Sequence, residues 1–135
     1  MTFELHPTLA ADSVFVCALP LSDVRLVRDA RYPWALLVPR VVDVRDPYEL
    51  TEEQQLALTR ESAALSRALV GLYAPFKLNV AAIGNMVPQL HVHHVARSPG
   101  DEAWPRPVWG IGEARAYEEA ALAARVKELR AALGA

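Results

Sequence analysis

Short apolar runs that end at prolines predict the strands of the N-terminal half of the chain. Residues 13–19 are largely apolar and are followed by Pro20, and residues 24–28 alternate between apolar and charged side chains. These two segments predict an antiparallel hairpin. Residues 34–38 are hydrophobic without alternation and stop at Pro39. Because a strand with two apolar faces is covered on both sides, we expect this third strand at the centre of the sheet.

A leucine stripe at helical spacing predicts a long helix in the middle of the chain. Thr51 and Gln54 form a Thr-x-x-Gln capping box, and Glu52 and Glu53 place negative charge in the first turn, where the helix dipole favours it. The helix is expected to end near Gly71. One of its sides should pack on the sheet through leucines at helical spacing: Leu58, Leu65, Leu69 and Leu72.

Two further strands and a second helix are predicted in the C-terminal half. Residues 76–83 and residues 89–96 have strand-like patterns, and the Gly84-Asn85 pair between them permits a tight turn with positive φ. The two strands should therefore pair antiparallel. Residues 113–133 predict an amphipathic helix whose apolar stripe consists of Leu122, Val126, Leu129 and Leu133.

Residues 97–112 show no regular spacing of apolar positions and indicate an ordered loop. They contain Trp104 and Trp109, which either cover the core or form an interface with a partner. Together the elements predict one α+β domain over residues 1–135, with a five-stranded, mainly antiparallel sheet, a central helix and a C-terminal helix. A chain of 135 residues with 53% hydrophobic residues is long and apolar enough to bury such a core.

Charge and cysteine content exclude several classes of function. The 14 basic and 16 acidic residues are interspersed and give a net charge of −2, so a nucleic-acid polymer is not an expected partner. A small phosphate ester is still allowed, because helix termini and backbone amides bind phosphate without excess positive charge. The single cysteine, Cys17, lies in an apolar segment and is expected to be buried. Without further cysteines the chain lacks the ligands of a closed structural zinc site.

Membrane insertion and export are not expected either. No uninterrupted apolar run approaches the length of about 18 residues that a membrane span requires. The first residues do not combine a basic segment with a following apolar stretch. We therefore expect a soluble, cytoplasmic protein without a membrane partner.

Three of the four histidines lie close together in the last predicted strand. If residues 89–97 are extended, Gln89, His91 and His93 lie on one face, and His94 lies on the opposite face. Neighbours on one face are about 6.7 Å apart, so two imidazoles and an amide can surround a single phosphate-sized centre. This pattern predicts a reaction centred on His91. His94 is expected to be packed and hydrogen-bonded, with no catalytic role.

The sequence around these histidines resembles the histidine triad (HIT) family of nucleotide hydrolases and transferases. The family motif is His-φ-His-φ-His-φ-φ, where φ is hydrophobic, and residues 89–95 match it except that Gln89 replaces the first histidine and His94 replaces one φ. The apolar segment of residues 34–40, which ends in Pro-Arg, is also similar to the family, as are Asn79 and the Gly84-Asn85 pair.

The resemblance implies a specific activity and the residues that would perform it. His91 would attack the α-phosphorus of a nucleoside phosphoramidate, dinucleoside polyphosphate or related nucleotide, forming a covalent nucleotidyl-histidine that water then hydrolyses. His93 would donate a hydrogen bond to a phosphate oxygen or to the leaving group. Around the phosphate and ribose, the implied binding residues are Asn79, Gly84, Asn85, Gln89 and Asp29.

Further properties follow from the same resemblance. A homodimer is expected, no cofactor should be tightly bound, and Mg²⁺ is compatible with a polyphosphate substrate. Because glutamine cannot deliver a proton from a cationic state, any acid role of the first motif histidine would be lost at Gln89, which predicts a narrower or slower activity.

Other interpretations of these residues stay open at the level of the sequence. The chain could be a nucleotide-binding or regulatory protein that kept the pocket but has little turnover. His91 and His93 could bind zinc with His6 or His94 as a third donor. They could also be satisfied polar residues at a strand edge, and Asn79, Asp29 and the Gly84-Asn85 pair could serve only as turn or strand-end residues.

Overall fold

Five antiparallel strands form a single sheet in the computed structural model, which describes residues 1–135. The strands are β1 (Ser13–Ala18), β2 (Ser22–Val27), β3 (Trp34–Pro39), β4 (Lys77–Ala81) and β5 (Val92–Arg97). Their order in the sheet is β1-β2-β3-β5-β4. The third strand is central and β1 and β2 form the predicted hairpin, so both expectations are confirmed.

Three α-helices accompany the sheet: α1 (Pro7–Asp12), α2 (Glu52–Tyr73) and α3 (Glu119–Ala132). The predicted capping box starts α2, since the Gln54 amide donates to Thr51 Oγ1 (3.2 Å) and the Thr51 amide donates to Gln54 Oε1 (2.9 Å). The helix ends at Tyr73, two residues beyond the predicted end at Gly71, and the next residue, Ala74, adopts a left-handed conformation with φ of 44°. None of the helices combines the length and the apolar character needed to cross a membrane.

The core consists of two apolar clusters, one on each side of the sheet. On one side, Leu58, Leu65 and Leu69 of α2 pack with Leu129 of α3 against strand residues that include Leu37. On the other side, Trp34, Leu36 and Val38 of β3 pack with Val95 of β5 and with loop residues. Side chains of β3 therefore alternate between two buried environments, which explains why this strand is apolar throughout.

Several element boundaries differ from the sequence-based predictions. The fifth strand begins at Val92 instead of residue 89, because Pro88 has no amide hydrogen and the Leu90 amide donates to the carbonyl of Val44, outside the sheet. The fourth strand is shorter than residues 76–83. Predicting the C-terminal helix from residue 113 was wrong, because the backbone of Arg115 pairs with the turn after β2, where its carbonyl accepts from Ala30 and its amide donates to Asp29.

The short helix α1 was not predicted. Its six residues are too few to show a helical period, although Pro7 suits the first turn of a helix. The side chain of His6 caps it, with Nδ1 accepting a hydrogen bond from the Thr8 amide (3.1 Å). This helix forms one wall of the cavity that is described below.

Candidate active site

A cavity of about 790 Å³ opens on the face of the sheet opposite α2. Its floor contains Trp34 and Leu36 of β3 together with His91 and His93. Its walls come from α1, from the turn after β2, from the connection between β4 and β5, and from the loop around Trp109. Its volume lies within the range of small-molecule sites, and most of its lining is apolar.

The His91 ring is held with its reactive nitrogen free. Its Nδ1 lies 2.7 Å from the carbonyl oxygen of Gln89, and no protein group is hydrogen-bonded to its Nε2. Because a carbonyl only accepts hydrogen bonds, the proton of the neutral ring must be on Nδ1. The Nε2 lone pair is therefore available as a nucleophile, which is the role that the sequence analysis expects for His91.

The His93 ring lies beside His91 in the opposite tautomer. The two ring centroids are 4.9 Å apart. The indole Nε1–H of Trp34 donates to Nδ1 of His93 (2.9 Å), so the neutral ring carries its proton on Nε2. Burial, together with the nearby His91 and His94, lowers the pKa of His93 to about 3. At neutral pH His93 is thus an uncharged hydrogen-bond donor.

His94 lies on the other side of β5 and contributes nothing to the cavity, as predicted. It is fully buried, its Nε2 is 2.7 Å from Ser62 Oγ on α2, and its Nδ1–H donates to the Val92 carbonyl (3.1 Å). Burial lowers the pKa of His94 to about 4, although the hydrogen bond to Val92 acts in the opposite direction. Alternation along β5 therefore sends adjacent imidazoles to the cavity and to the core.

The connection between β4 and β5 brings Gly84 and Asn85 to the cavity, as the sequence predicts. Gly84 has φ of +63°, and a Cβ atom at this position would lie 3.0 Å from the Val87 carbonyl oxygen and 3.7 Å from Cε1 of His91. A larger residue would therefore be strained by the positive φ and by the Val87 carbonyl, while its Cβ would be in ordinary van der Waals contact with the His91 ring. Asn85 is exposed and lines the same edge of the cavity.

Asp29 also lines the cavity, but its carboxylate is already well satisfied. It accepts hydrogen bonds from Nη2 of Arg31 (2.8 Å) and from the backbone amide of Arg115 (3.2 Å). Burial would raise the pKa of Asp29, but these hydrogen bonds outweigh it and lower the pKa. Arg31 in turn donates to the Ile111 carbonyl and pairs with Glu102. Asp29 therefore fastens the Trp109 loop to the cavity and has little capacity left for a ribose hydroxyl.

Two of the predicted binding residues do not line the cavity. The side chain of Asn79 accepts a hydrogen bond from Nη1 of Arg97 (2.8 Å), and that guanidinium also pairs with Asp101. The side chain of Gln89 is bound to the N-terminal segment, with Oε1 accepting from the His6 amide (2.9 Å). Gln89 reaches the site through its carbonyl group instead of its amide side chain.

Aromatic residues complete the site, and sequence reasoning missed their roles. The Trp109 ring meets the His93 ring edge to face at a centroid distance of 5.0 Å and lies 5.9 Å from that of Trp34. Trp104 points elsewhere and packs against Phe76. The role of Trp34 follows from the pairing register of β3 with β5. Leu36 pairs with His93, and Trp34, two residues before Leu36, therefore lies on the same face of the sheet as His93. That register is not visible in a single sequence.

The positions of the other histidines bear on the predicted zinc alternative. His94 faces away from His91 and His93, and His6 uses Nδ1 to cap α1. No three His, Cys, Asp or Glu side chains in the chain are grouped so that they could hold a metal ion.

Comparison with known proteins identifies the family. The HIT domain model matches residues 8–100. A histidine triad protein from Marinobacter aquaeolei is 47% identical, with 99% of this chain and 98% of that chain covered and a TM-score of 0.96. One from Bradyrhizobium japonicum is 44% identical, covering 98% and 99% of the two chains with a TM-score of 0.96. One from Sinorhizobium meliloti is 38% identical, covering 95% of each chain with a TM-score of 0.93.

A search of curated proteins found no match. On the strength of the domain match and of relatives that cover almost its whole length, the chain belongs to the HIT domain family of histidine triad proteins.

Proposed function

We propose that this protein is a nucleotidyl hydrolase or transferase that cleaves the α-phosphate linkage of a nucleoside phosphoramidate, dinucleoside polyphosphate or related nucleotide. The observation that carries the proposal is the hydrogen bond from His91 Nδ1 to the Gln89 carbonyl, which leaves Nε2 free beside a cavity of about 790 Å³. Such a cavity has room for a mononucleotide, and its apolar walls suit a base.

In the first step, Nε2 of His91 attacks the α-phosphorus. A phosphorus–nitrogen bond forms, and the bond from phosphorus to the leaving group breaks, with its electron pair going to the leaving group, which takes up a proton from solvent water. The His91 ring now carries phosphorus on Nε2 and hydrogen on Nδ1, so it is positively charged. The Gln89 carbonyl at 2.7 Å stabilises this charge, because a charge-assisted hydrogen bond is stronger than a neutral one.

In the second step, water attacks the same phosphorus and gives up a proton to the solvent, and the bond to Nε2 breaks with its electron pair returning to the ring. This regenerates neutral His91 and releases a nucleoside monophosphate. His93 supports both steps by donating its Nε2–H to a phosphate oxygen. Backbone amides around Gly84 and Asn85 add further donors for the negative charge that develops on phosphorus. A polyphosphate substrate would bring Mg²⁺ bound to its own phosphates, without a protein metal site.

The test is AMP release from adenosine 5'-phosphoramidate, followed by chromatography. His91→Ala should lower kcat/KM by about 1,000-fold or more, because the nucleophile is lost. His94→Asn changes a nearby histidine, in β5, that faces the core and is the matched control, with folding checked by circular dichroism. Quenching in alkaline denaturant during turnover should trap AMP on the peptide that contains His91, because the phosphorus–nitrogen bond of a modified histidine is stable in alkali and labile in acid. Retention of full activity in His91→Ala would refute the proposal.

A second candidate is a nucleotide-binding or regulatory protein with little turnover. The observation in its favour is that neither Gln89 nor His93 can protonate the leaving group from a cationic state. His93 is neutral, and the side chain of Gln89 is hydrogen-bonded to the N-terminal segment. Saturable binding of AMP by calorimetry, with no AMP released from the phosphoramidate, would establish this candidate instead.

We also propose that two copies associate through the free edge of β4. This strand ends the sheet, and the apolar side chains of Phe76 and Val80 are 72% and 48% exposed there. An edge strand with exposed apolar side chains favours pairing with another strand. Val80→Lys should convert a dimer into a monomer in analytical ultracentrifugation, whereas Phe15→Lys at the opposite edge should not. A monomeric wild-type protein at micromolar concentration would exclude this dimer.

A further inference from the structure

We infer that Gln89 is a positioning residue that holds the N-terminal segment against the His91 segment and so keeps α1 in place as a wall of the substrate cavity. The inference rests on the proposed function, because it assigns α1 to the binding of that substrate. It also gives a specific role to the residue that replaces the first histidine of the family motif.

The side-chain amide of Gln89 uses both of its hydrogen-bonding groups on one segment. Its Oε1 accepts from the His6 amide (2.9 Å), and its Nε2 donates to the Glu4 carbonyl (2.8 Å). In an extended chain the carbonyl of one residue and the amide two residues later point to the same side, as they do in a parallel ladder. The amide side chain thus replaces a backbone partner for the N-terminal segment.

The main chain of the same residue holds the proposed nucleophile. The Gln89 carbonyl accepts from Nδ1 of His91 (2.7 Å), and this bond is independent of the side chain. One residue therefore links the N-terminal segment, through its amide, to the site of chemistry, through its carbonyl. Substitution of the side chain separates the two links, because the carbonyl group is present in every variant.

The bound segment leads directly into a wall of the cavity. His6 both donates its amide to Gln89 and caps α1 through Nδ1, and the following helix contributes Thr8, Leu9 and Asp12 to the lining. Leu9 is buried in the cluster that contains Trp34. Loss of the Gln89 amide should therefore loosen α1 and weaken substrate binding, while His91 keeps its tautomer.

The first measurement needs no enzymatic activity. In Gln89→Ala, hydrogen exchange of the His6 amide, followed by NMR, should accelerate by about 10-fold, because its acceptor is gone. Gln89→Glu keeps the acceptor for His6 but loses the donor to Glu4, so His6 exchange should stay close to that of the wild type. Equal exchange of His6 in the wild type and in Gln89→Ala would overturn the inference.

The second measurement separates binding from chemistry. With adenosine 5'-phosphoramidate, Gln89→Ala should raise KM by about 10-fold and leave kcat within about twofold. A fall in kcat at unchanged KM would overturn the inference, since it would place the side chain in the reaction itself. If the wild type releases no AMP, the proposed function fails, but the positioning role is still decided by His6 exchange and by the dissociation constant for AMP, which should rise by the same factor.

Discussion

At the scale of single residues, the two histidines of the cavity differ in the group that holds Nδ1. A backbone carbonyl holds His91 and an indole N–H holds His93, so neighbouring imidazoles present a lone pair and a hydrogen-bond donor, respectively. The division of roles therefore comes from Gln89 and Trp34 and not from the histidines themselves. Two identical side chains thus present a free lone pair and an N–H, respectively, through one hydrogen bond each.

Trp34→Phe should disturb His93 specifically. The change removes the only donor to Nδ1 of His93, which frees the tautomer and raises its pKa from about 3, because a bond that stabilises the neutral ring is lost. We expect kcat/KM to fall by about 10-fold, which corresponds to the loss of one hydrogen bond. NMR titration of the His93 Cε1 proton reports the pKa directly.

The control for this change is Trp109→Phe. Trp109 touches the His93 ring at 5.0 Å but makes no hydrogen bond to it, so the pKa of His93 should stay near its wild-type value. An unchanged His93 titration in Trp34→Phe would contradict the assigned tautomer.

The sequence predicted much of this site, but not the hydrogen bonds that define it. Alternation brought His91 and His93 to one cavity, and the glycine turn placed Gly84 and Asn85 beside them. The part played by Trp34 depends on the pairing register of β3 with β5, and the part played by Gln89 depends on a segment more than 80 residues away. Neither the strand register nor a hydrogen bond between distant segments can be recognised from the spacing of residues in the sequence.

At the scale of elements, the boundaries follow from local chemistry wherever the relevant partners are close in sequence. The capping box fixed the start of α2, and its leucines fixed the buried face. The start of α3 could not be predicted, because residues before Glu119 pair with the turn at Ala30 and are therefore extended. Helix α1 was missed because six residues carry no measurable period.

The connection between β4 and β5 offers a sharp test at this scale. Gly84→Ala should lower the free energy of unfolding by about 1–2 kcal/mol, because a Cβ atom is disfavoured at φ of +63° and would meet the Val87 carbonyl at 3.0 Å. Relief of the contact with Val87 should shift this connection at the edge of the cavity beside His91, so we expect kcat to fall as well. Urea denaturation and turnover of the phosphoramidate measure the two effects.

Gly71→Ala is the matched control for Gly84→Ala. Gly71 lies inside α2, and a Cβ atom there would have no neighbour within 4 Å. Alanine should therefore stabilise the protein by about 0.5–1 kcal/mol through its higher helix propensity, and activity should not change. Equal stability of the two variants would contradict the backbone strain assigned to Gly84.

At the scale of the whole molecule, the sheet separates a hydrophobic core from the cavity of the candidate active site. Leucines of α2 fill one side, and the cavity with its imidazoles occupies the other. Strand β5 contributes to both sides, since His93 lines the cavity and His94 is buried against α2. Both imidazoles are neutral in the folded protein because both are removed from solvent.

Global stability should consequently decline in mild acid. Both pKa values are lowered on folding, from 6.5 to about 3 for His93 and about 4 for His94, so below pH 6.5 the unfolded chain binds more protons than the folded one. The free energy of unfolding should then fall by about 1.4 kcal/mol per pH unit for each histidine. Urea titrations between pH 7 and pH 4.5 measure the slope. His94→Asn should remove about half of it, and a flat profile would contradict the burial of neutral imidazoles.

The alternation of β5 makes the site sensitive to the pairing register of this strand. A slip of one residue against β3 would exchange the two faces of β5, so that His94 would enter the cavity and His93 would lie against α2. A slip of two residues would keep each imidazole on its own side of the sheet. An added residue in the irregular connection before Val92 can be absorbed there without any change of register.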